Sequence, residues 1–176
     1  NHKTAKNIGV LVLAAGEGTR MESSIPKVLH NVGGRPMIFY TMRLANAVKP
    51  TGIGVVVGYA SDRVKNTVQQ IAKDTQINRP VTFIIQKKQT GSGNAVLEAM
   101  PFLKKFKTIL VVCGDTPLLT YESVYALVQS HEDQKGQVTL LTARLGNPKG
   151  YGRVIRGPLG DVLRIVEESV GSPKEL

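Results

Sequence analysis

The chain has 176 residues, 41% of them hydrophobic and 20% charged, an ordinary composition for one globular domain that buries roughly 70% of the surface its unfolded form exposes. No apolar run approaches the ~18 residues of a membrane span, and the polar, basic start from Asn1 to Asn7 lacks a signal-peptide core, so a cytoplasmic protein without a membrane partner is predicted. The net charge of +10 suits polyphosphate substrates and nucleic acids alike, but the basic residues are scattered, only Lys104-Lys105-Phe106-Lys107 clusters, and no aromatic-basic RNA-recognition strand is present, so nucleic-acid binding is set aside.

The first predicted element is an apolar strand, Ile8 to Leu13, running into Ala14-Ala15-Gly16-Glu17-Gly18-Thr19-Arg20-Met21. Small residues and two glycines let the backbone pass close to a ligand, and successive N–H groups of such a turn form an anion-binding concavity. Arg20 and Lys27 add positive charge from the same region. A Walker loop would need Gly-Lys-Ser/Thr where Gly18-Thr19-Arg20 stands, and a dinucleotide fingerprint would need a small residue opening a helix where Met21 stands with Pro26 beyond it.

Met37 to Val48 then carries apolar residues at helical spacing, entered through Pro36. Ile53 to Val57 is a second strand, Ser61-Asp62 opens a helix with Val64, Val68 and Ile71 on one face, and Val81 to Ile85 is a third strand. Gly93 to Met100 is a short helix ended near Pro101, and Thr108 to Cys113 is a fourth strand. Thr120 caps a helix with Val124, Leu127 and Val128 inward, and Val138 to Ala143 is a fifth strand. Arg153 to Arg156 and Val162 to Glu167 flank Gly157-Pro158-Leu159-Gly160-Asp161 as an antiparallel hairpin. Alternating strands and helices predict an α/β class, a doubly wound, mostly parallel, Rossmann-like sheet with a C-terminal hairpin appended, in one domain spanning residues 1–176. The single cysteine, Cys113, ends an apolar run and is expected to be a small buried hydrophobe.

In open parallel sheets ligands gather beyond the carboxyl ends of the strands. Asp115, after the fourth strand, can face a phosphate-bound Mg²⁺ or merely shape the turn before Pro117. Gln86, after the third, can donate and accept toward a base edge or simply be solvated. The residues alone leave both choices open. His30 and His131 have no partner in a metal or nucleophile pattern and are expected to be structural or surface residues.

The ordered series L-A-A-G-E-G-T-R-M at Leu13 to Met21, P-K-V-L-H at Pro26 to His30, G-R-P-M at Gly34 to Met37, Gln86, Gly91-Ser92-Gly93, G-D-T-P-L at Gly114 to Leu118, G-Y-G-R at Gly150 to Arg153 and Val166-Glu167 resembles the nucleotidyltransferases that make nucleotide sugars, above all the bacterial N-acetylglucosamine-1-phosphate uridylyltransferases. The resemblance covers nearly the whole chain. It implies UTP and a sugar 1-phosphate as substrates, Mg²⁺ as cofactor on Asp115, and Arg20 and Lys27 as the catalytic cations on the phosphates. It further implies nucleotide contacts from Leu13, Ala14, Ala15, Gly16, Gly18, Thr19, Gln86, Gly91 and Ser92, where Ser92 stands for the family's threonine. Gly152 and Glu167 are implied for the sugar phosphate, with Glu168 expected in solvent on the opposite strand face. The family's second metal-binding asparagine lies beyond the residue matching Leu176, which predicts slow or absent turnover by these residues alone and recovery in a longer chain. A homo-oligomer is allowed for such a longer chain. Another pyrimidine nucleotidyltransferase, or a nucleotide-binding module without turnover, are the alternatives.

The chemistry implied is attack by a sugar 1-phosphate oxygen on the α-phosphorus of UTP with loss of pyrophosphate. That oxygen is already ionised near neutral pH, so positioning and charge stabilisation suffice, and no Ser-His-Asp or Cys-His arrangement is required.

Overall fold

A computed structural model of the chain describes residues 7–18, 21–134 and 136–173. These fall into two compact units, 1–138 and 139–176. The first unit contains a four-stranded parallel sheet of β1 (Ile8–Ala14), β4 (Gly52–Val57), β5 (Val81–Ile85) and β6 (Thr108–Cys113), in the order β5-β4-β1-β6. The two middle strands, IGVLVLA and GIGVVV, are continuous apolar runs, as strands covered on both faces must be, and all of β4 is buried. Their registers pair Val10 with Ile53 and with Leu110, and Val12 with Val55 and with Val112.

Alternation along the strands divides the core into two layers. On one face Val10, Val12, Ile53, Val55, Leu110 and Val112 pack against α1 (Met37–Ala47), α2 (Ser61–Asp74) and α5 (Tyr121–Gln134) through Ile38 and Met42, Val64 and Val68, and Val124 and Val128. The helix α2 shows the predicted stripe, with Val64, Val68 and Ile71 buried. The predicted cap of α5 is also present, since Thr120 Oγ1 accepts from the Ser123 N–H at 3.3 Å. On the other face Leu11 and Val56 pack against α3 (Ser92–Glu98) and α4 (Met100–Leu103) through Ala95, Ala99, Phe102 and Leu103. The helix α3 ends at Glu98, shortly before Pro101 as expected, although Pro101 is not itself the residue that ends it. Pro101 sits in the first turn of α4, where its missing N–H has no helical partner to lose.

Glycines of β1 and β4 make room for the rings on this second face. A Cβ on Gly9 would lie 2.3 Å from Phe106 Cδ2, and one on Gly54 would lie 2.7 Å from Phe102 Cε1. The two rings lean on each other with centroids 4.9 Å apart.

Between β1 and α1 the chain makes a 3-10 turn at Lys27–Leu29 and a small antiparallel pair, β2 (Asn31–Val32) and β3 (Arg35–Pro36). Gly33 and Gly34 connect the pair with φ of 58° and 78°, the left-handed backbone of a two-residue hairpin turn. Tyr40 Oη donates to the Val32 carbonyl at 2.6 Å and ties the pair to α1. Among the described residues no helix is long and apolar enough to cross a membrane.

The predicted hairpin forms in the second unit, where β7 (Arg153–Arg156) pairs antiparallel with β8 (Val162–Val166) as a sheet of its own. The predicted strand from Val138 to Ala143 does not form, and Val138, Leu140 and Leu141 are exposed. Its β-branched composition favours an extended chain, but a strand also needs ladder pairing with a neighbouring strand, and among the described residues no sheet includes this segment.

The filled glycine notch gives a stability test. Gly9→Ala should destabilise the protein by about 1–3 kcal/mol, the usual cost of overpacking, measured by urea unfolding. Most of that cost should vanish in a Phe106→Ala background, where the ring is gone.

Candidate active site

The winding of the sheet locates the site. The chain moves outward from β1 to β4 to β5 and then returns to β6 on the opposite side of β1, so the strand order reverses between β1 and β6. Beyond the carboxyl ends of strands at such a reversal a crevice opens. There the structure has an open cavity of about 290 Å³.

Leu13, Ala15 and Gly16 line it from the end of β1, Cys113 and Asp115 from the end of β6, and Gln86, Gly91 and Ser92 from the loop after β5. Lys27 reaches it from the 3-10 turn. Of the sequence-based candidates, Ala14 is buried in the first-face core and does not line the cavity. Thr19 and Arg20 lie outside the described residues. Gly18 is described, with φ +72°, and a Cβ there would meet Lys27 Cβ at 2.6 Å. The residue must be glycine for its backbone and for the room it leaves to Lys27.

Lys27 is held from below. Its neighbour Val28 is buried in the first-face core, and the Pro26 and Lys27 carbonyls accept from the Leu29 and His30 N–H groups at 2.8 and 3.2 Å. The preceding arm is fastened by the His30 ring nitrogen Nε2 on the Ile25 carbonyl at 3.2 Å and by Arg63 Nη1, from α2, on the Ser24 carbonyl at 3.1 Å. His30 is thus structural, as expected. With its stem fixed, Lys27 Nζ meets Asp115 Oδ2 at 2.5 Å. Both side chains are partly exposed, 43% and 27%, and a pair screened by water to that extent contributes about 0–1 kcal/mol, so it opens at little cost when a better partner arrives.

At the other end of the cavity Gln86 is buried, one of two buried polar side chains among the described residues. Its backbone N–H donates to the Val57 carbonyl at 2.8 Å, and its side-chain amide nitrogen donates to the Gly91 carbonyl and to Asn94 Oδ1, each at 3.1 Å. The alternative that it is merely solvated is removed by this burial. Gly91 holds φ +107° as it leads into α3, a backbone open to glycine alone at low cost. Sequence reasoning missed Gln89, which also lines the cavity, and Asn94. Both sit within or beside the Gln86 to Ser92 segment, and that adjacency was the available signal.

The protein-family model described as the MobA-like NTP transferase domain matches residues 10–169. The chain belongs to this family. It is 42% identical over 171 residues to the bifunctional protein GlmU of Pelobacter propionicus, covering 97% of this chain and 36% of that protein. To the bifunctional protein GlmU of Corynebacterium glutamicum it is 43% identical over 164 residues, covering 93% of this chain and 33% of that protein. The chain thus spans about a third of the length of these relatives. Among solved structures, UDP-glucose pyrophosphorylase complexed with UDP-glucose shares the fold with a TM-score of 0.68 at 18% identity, over 92% of this chain and 69% of that one.

Gly152 and Glu167 of this NTP transferase chain belong to its second unit and are neighbours there, since a Cβ on Gly152 would lie 3.6 Å from Glu167 Oε2. Glu168 is not in free solvent as expected. Its Oε2 accepts from the Gly150 N–H at 2.8 Å, and its Oε1 lies 3.6 Å from Arg153 Nη2. The Arg153 guanidinium also donates to the Pro148 and Tyr151 carbonyls. These bonds draw Glu168 onto the turn before β7 and leave the exposed Glu167 unengaged by them.

Cys113 is likewise corrected, because it is exposed. Strand alternation puts it with Ile109 and Val111 on the face where α3 and α4 cover β1 and β4, and all three are open on the edge strand β6. Partial desolvation against the cavity wall pushes its thiol pKa up, the Asp115 carboxylate adds to the rise, and Lys27 opposes it. A raised pKa means less thiolate at neutral pH, so Cys113 should alkylate more slowly with iodoacetamide than a free cysteine, with its rate inflecting at higher pH. Asp115→Asn removes one cause of the rise and should speed the reaction at any pH below the inflection.

Proposed function

We propose that the chain transfers the uridylyl group of UTP to a sugar 1-phosphate, N-acetylglucosamine 1-phosphate by the resemblance, with release of pyrophosphate. The observation that carries the reading is the polarity of the cavity, which presents a neutral wall of Gln86, Gly91 and Ser92 at one end and the Lys27–Asp115 charge pair at the other. A nucleoside triphosphate has the same division, a flat hydrogen-bonding base and a chain of phosphates. Membership of an NTP transferase family supports it. Residues 1–176 are proposed to act as one nucleotidyltransferase domain, in the cytoplasm where its triphosphate substrate is held.

In this reading the main chain at Leu13 to Gly18, with Thr19, lies along the nucleotide, and Gln86, Gly91 and Ser92 face its base. Lys27 leaves Asp115 for the phosphates, assisted by Arg20, and holds charge where it develops at the α-phosphorus. Gly152 and Glu167 are assigned the sugar phosphate. The attacking oxygen brings its own negative charge and needs no base, so the residues' task is to align two anions and offset their repulsion.

A divalent cation fits the residues present. Asp115 is a single, partly exposed carboxylate already facing a cationic group, and Mg²⁺ typically rests on one or two carboxylates beside phosphates and water. Among the described residues no group of three or more His, Cys, Asp or Glu side chains could hold a metal alone, which favours a cation carried in by the nucleotide. Bound there, Mg²⁺ would supply further positive charge to the phosphate oxygens.

Pyrophosphate release tested over UTP, CTP, GTP and ATP with several sugar 1-phosphates should single out UTP with N-acetylglucosamine 1-phosphate. Preference for another pyrimidine triphosphate or sugar would redirect the assignment, and UTP binding without pyrophosphate release by this chain and by a longer native form would remove the activity. Lys27→Ala should keep the circular dichroism spectrum and lose about a hundredfold in turnover, the usual effect of removing one preorganised charged donor. Calorimetry should show UTP binding more tightly than ATP, since only the neutral wall distinguishes them.

A further inference from the structure

A buried carboxamide must have its hydrogen-bond partners, and those of Gln86 determine which way it faces. Its amide end lies 3.1 Å from the Gly91 carbonyl, an atom that can only accept. The group presented to Gly91 is therefore the NH₂. The same nitrogen lies 3.1 Å from the Asn94 side chain, so the Asn94 atom there must be the acceptor Oδ1. Both amide hydrogens are then engaged, one on each partner. The polar atom of Gln86 left to meet a ligand in the cavity it lines is its carbonyl oxygen, an acceptor.

Pyrimidines differ at the edge such an oxygen would meet. The ring N3 of uracil and thymine carries a hydrogen, whereas N3 of cytosine is an acceptor whose lone pair would oppose that of Gln86. We propose that Asn94 is a specificity-determining positioning residue. From the first turn of α3 it locks the Gln86 carboxamide, jointly with Gly91, with its oxygen toward the base, and so makes the site select an imide pyrimidine over cytosine. The inference rests on the reading of Gln86 as facing the base, and it adds a residue that does not itself line the cavity.

The test is calorimetric binding of UTP, 5-methyl-UTP, CTP, N3-methyl-UTP and ATP to the wild-type chain and to Asn94→Leu, Asn94→Asp and Asn94→Ala. The wild type should bind UTP and 5-methyl-UTP alike and reject CTP and N3-methyl-UTP by at least about tenfold, the scale of one lost buried hydrogen bond. Asn94→Leu, which offers no acceptor, should shrink the UTP-to-CTP ratio several-fold, and Asn94→Asp, which keeps an acceptor toward the amide, should restore it. Asn94→Ala serves the same purpose if the leucine variant does not fold. A merely structural role would weaken every nucleotide equally, so an unchanged UTP-to-CTP ratio in a folded leucine or alanine variant overturns the proposal. N3-methyl-UTP binding as tightly as UTP to the wild type also overturns it, by removing the outward oxygen. Equal wild-type affinity for UTP and ATP would instead show that the reading of the base pocket had failed, and the inference would fall with it.

Discussion

Strand β1 is hydrogen-bonded on both edges, to β4 and to β6, and the arrangement of the first unit follows from that double pairing. Crossovers between parallel strands are right-handed, so helices that carry the chain outward and the segment that brings it back must lie on opposite faces. The outward steps from β1 to β4 and from β4 to β5 run through α1 and α2, whose apolar residues share the first-face core. The return from β5 to β6 runs through α3 and α4 on the second face. One return places Gln86 and the Gly91 turn on the far side of the crevice from Lys27 and Asp115, and it leaves the same face of β6 uncovered at Ile109, Val111 and Cys113. The site and the exposed edge have one topological cause.

Much of this architecture is legible in the sequence because burial on both faces writes continuous apolar runs for β1 and β4, and one-sided burial writes the stripe of α2. The family likeness supplies what periodicity cannot, namely that Asp115, Lys27 and Gln86, far apart in sequence, belong to one cavity. The failures are of another kind. Val138 to Ala143 has the composition of a strand but joins no sheet, Cys113 has the sequence of a buried strand end but an open edge, and Glu168 looks solvated until Arg153 and the Gly150 N–H are seen beside it. Each depends on which neighbour is present across space, which local pattern does not encode. The Gly33-Gly34 hairpin is different, since its turn signal was in the sequence and went unread.

The two ends of the cavity are held with different firmness, and this difference matches the work each end is proposed to do. Gln86 is buried, carries three hydrogen bonds from backbone and amide, and has no freedom to turn without leaving a polar group unpaired. Such a group can discriminate, because a base of the wrong pattern must bear the whole cost of the mismatch. Lys27 and Asp115 are half-exposed and satisfy each other through a single contact, while the Lys27 stem is fixed by Val28. A pair of that kind is positioned but not committed. Phosphates can take the cation, and a cation can take the carboxylate, with little loss to either partner. In that proposal recognition uses the rigid end, set by the buried Gln86 just after β5, and group transfer uses the exchangeable one, set by Lys27 on the 3-10 turn after β1 and by Asp115 just after β6.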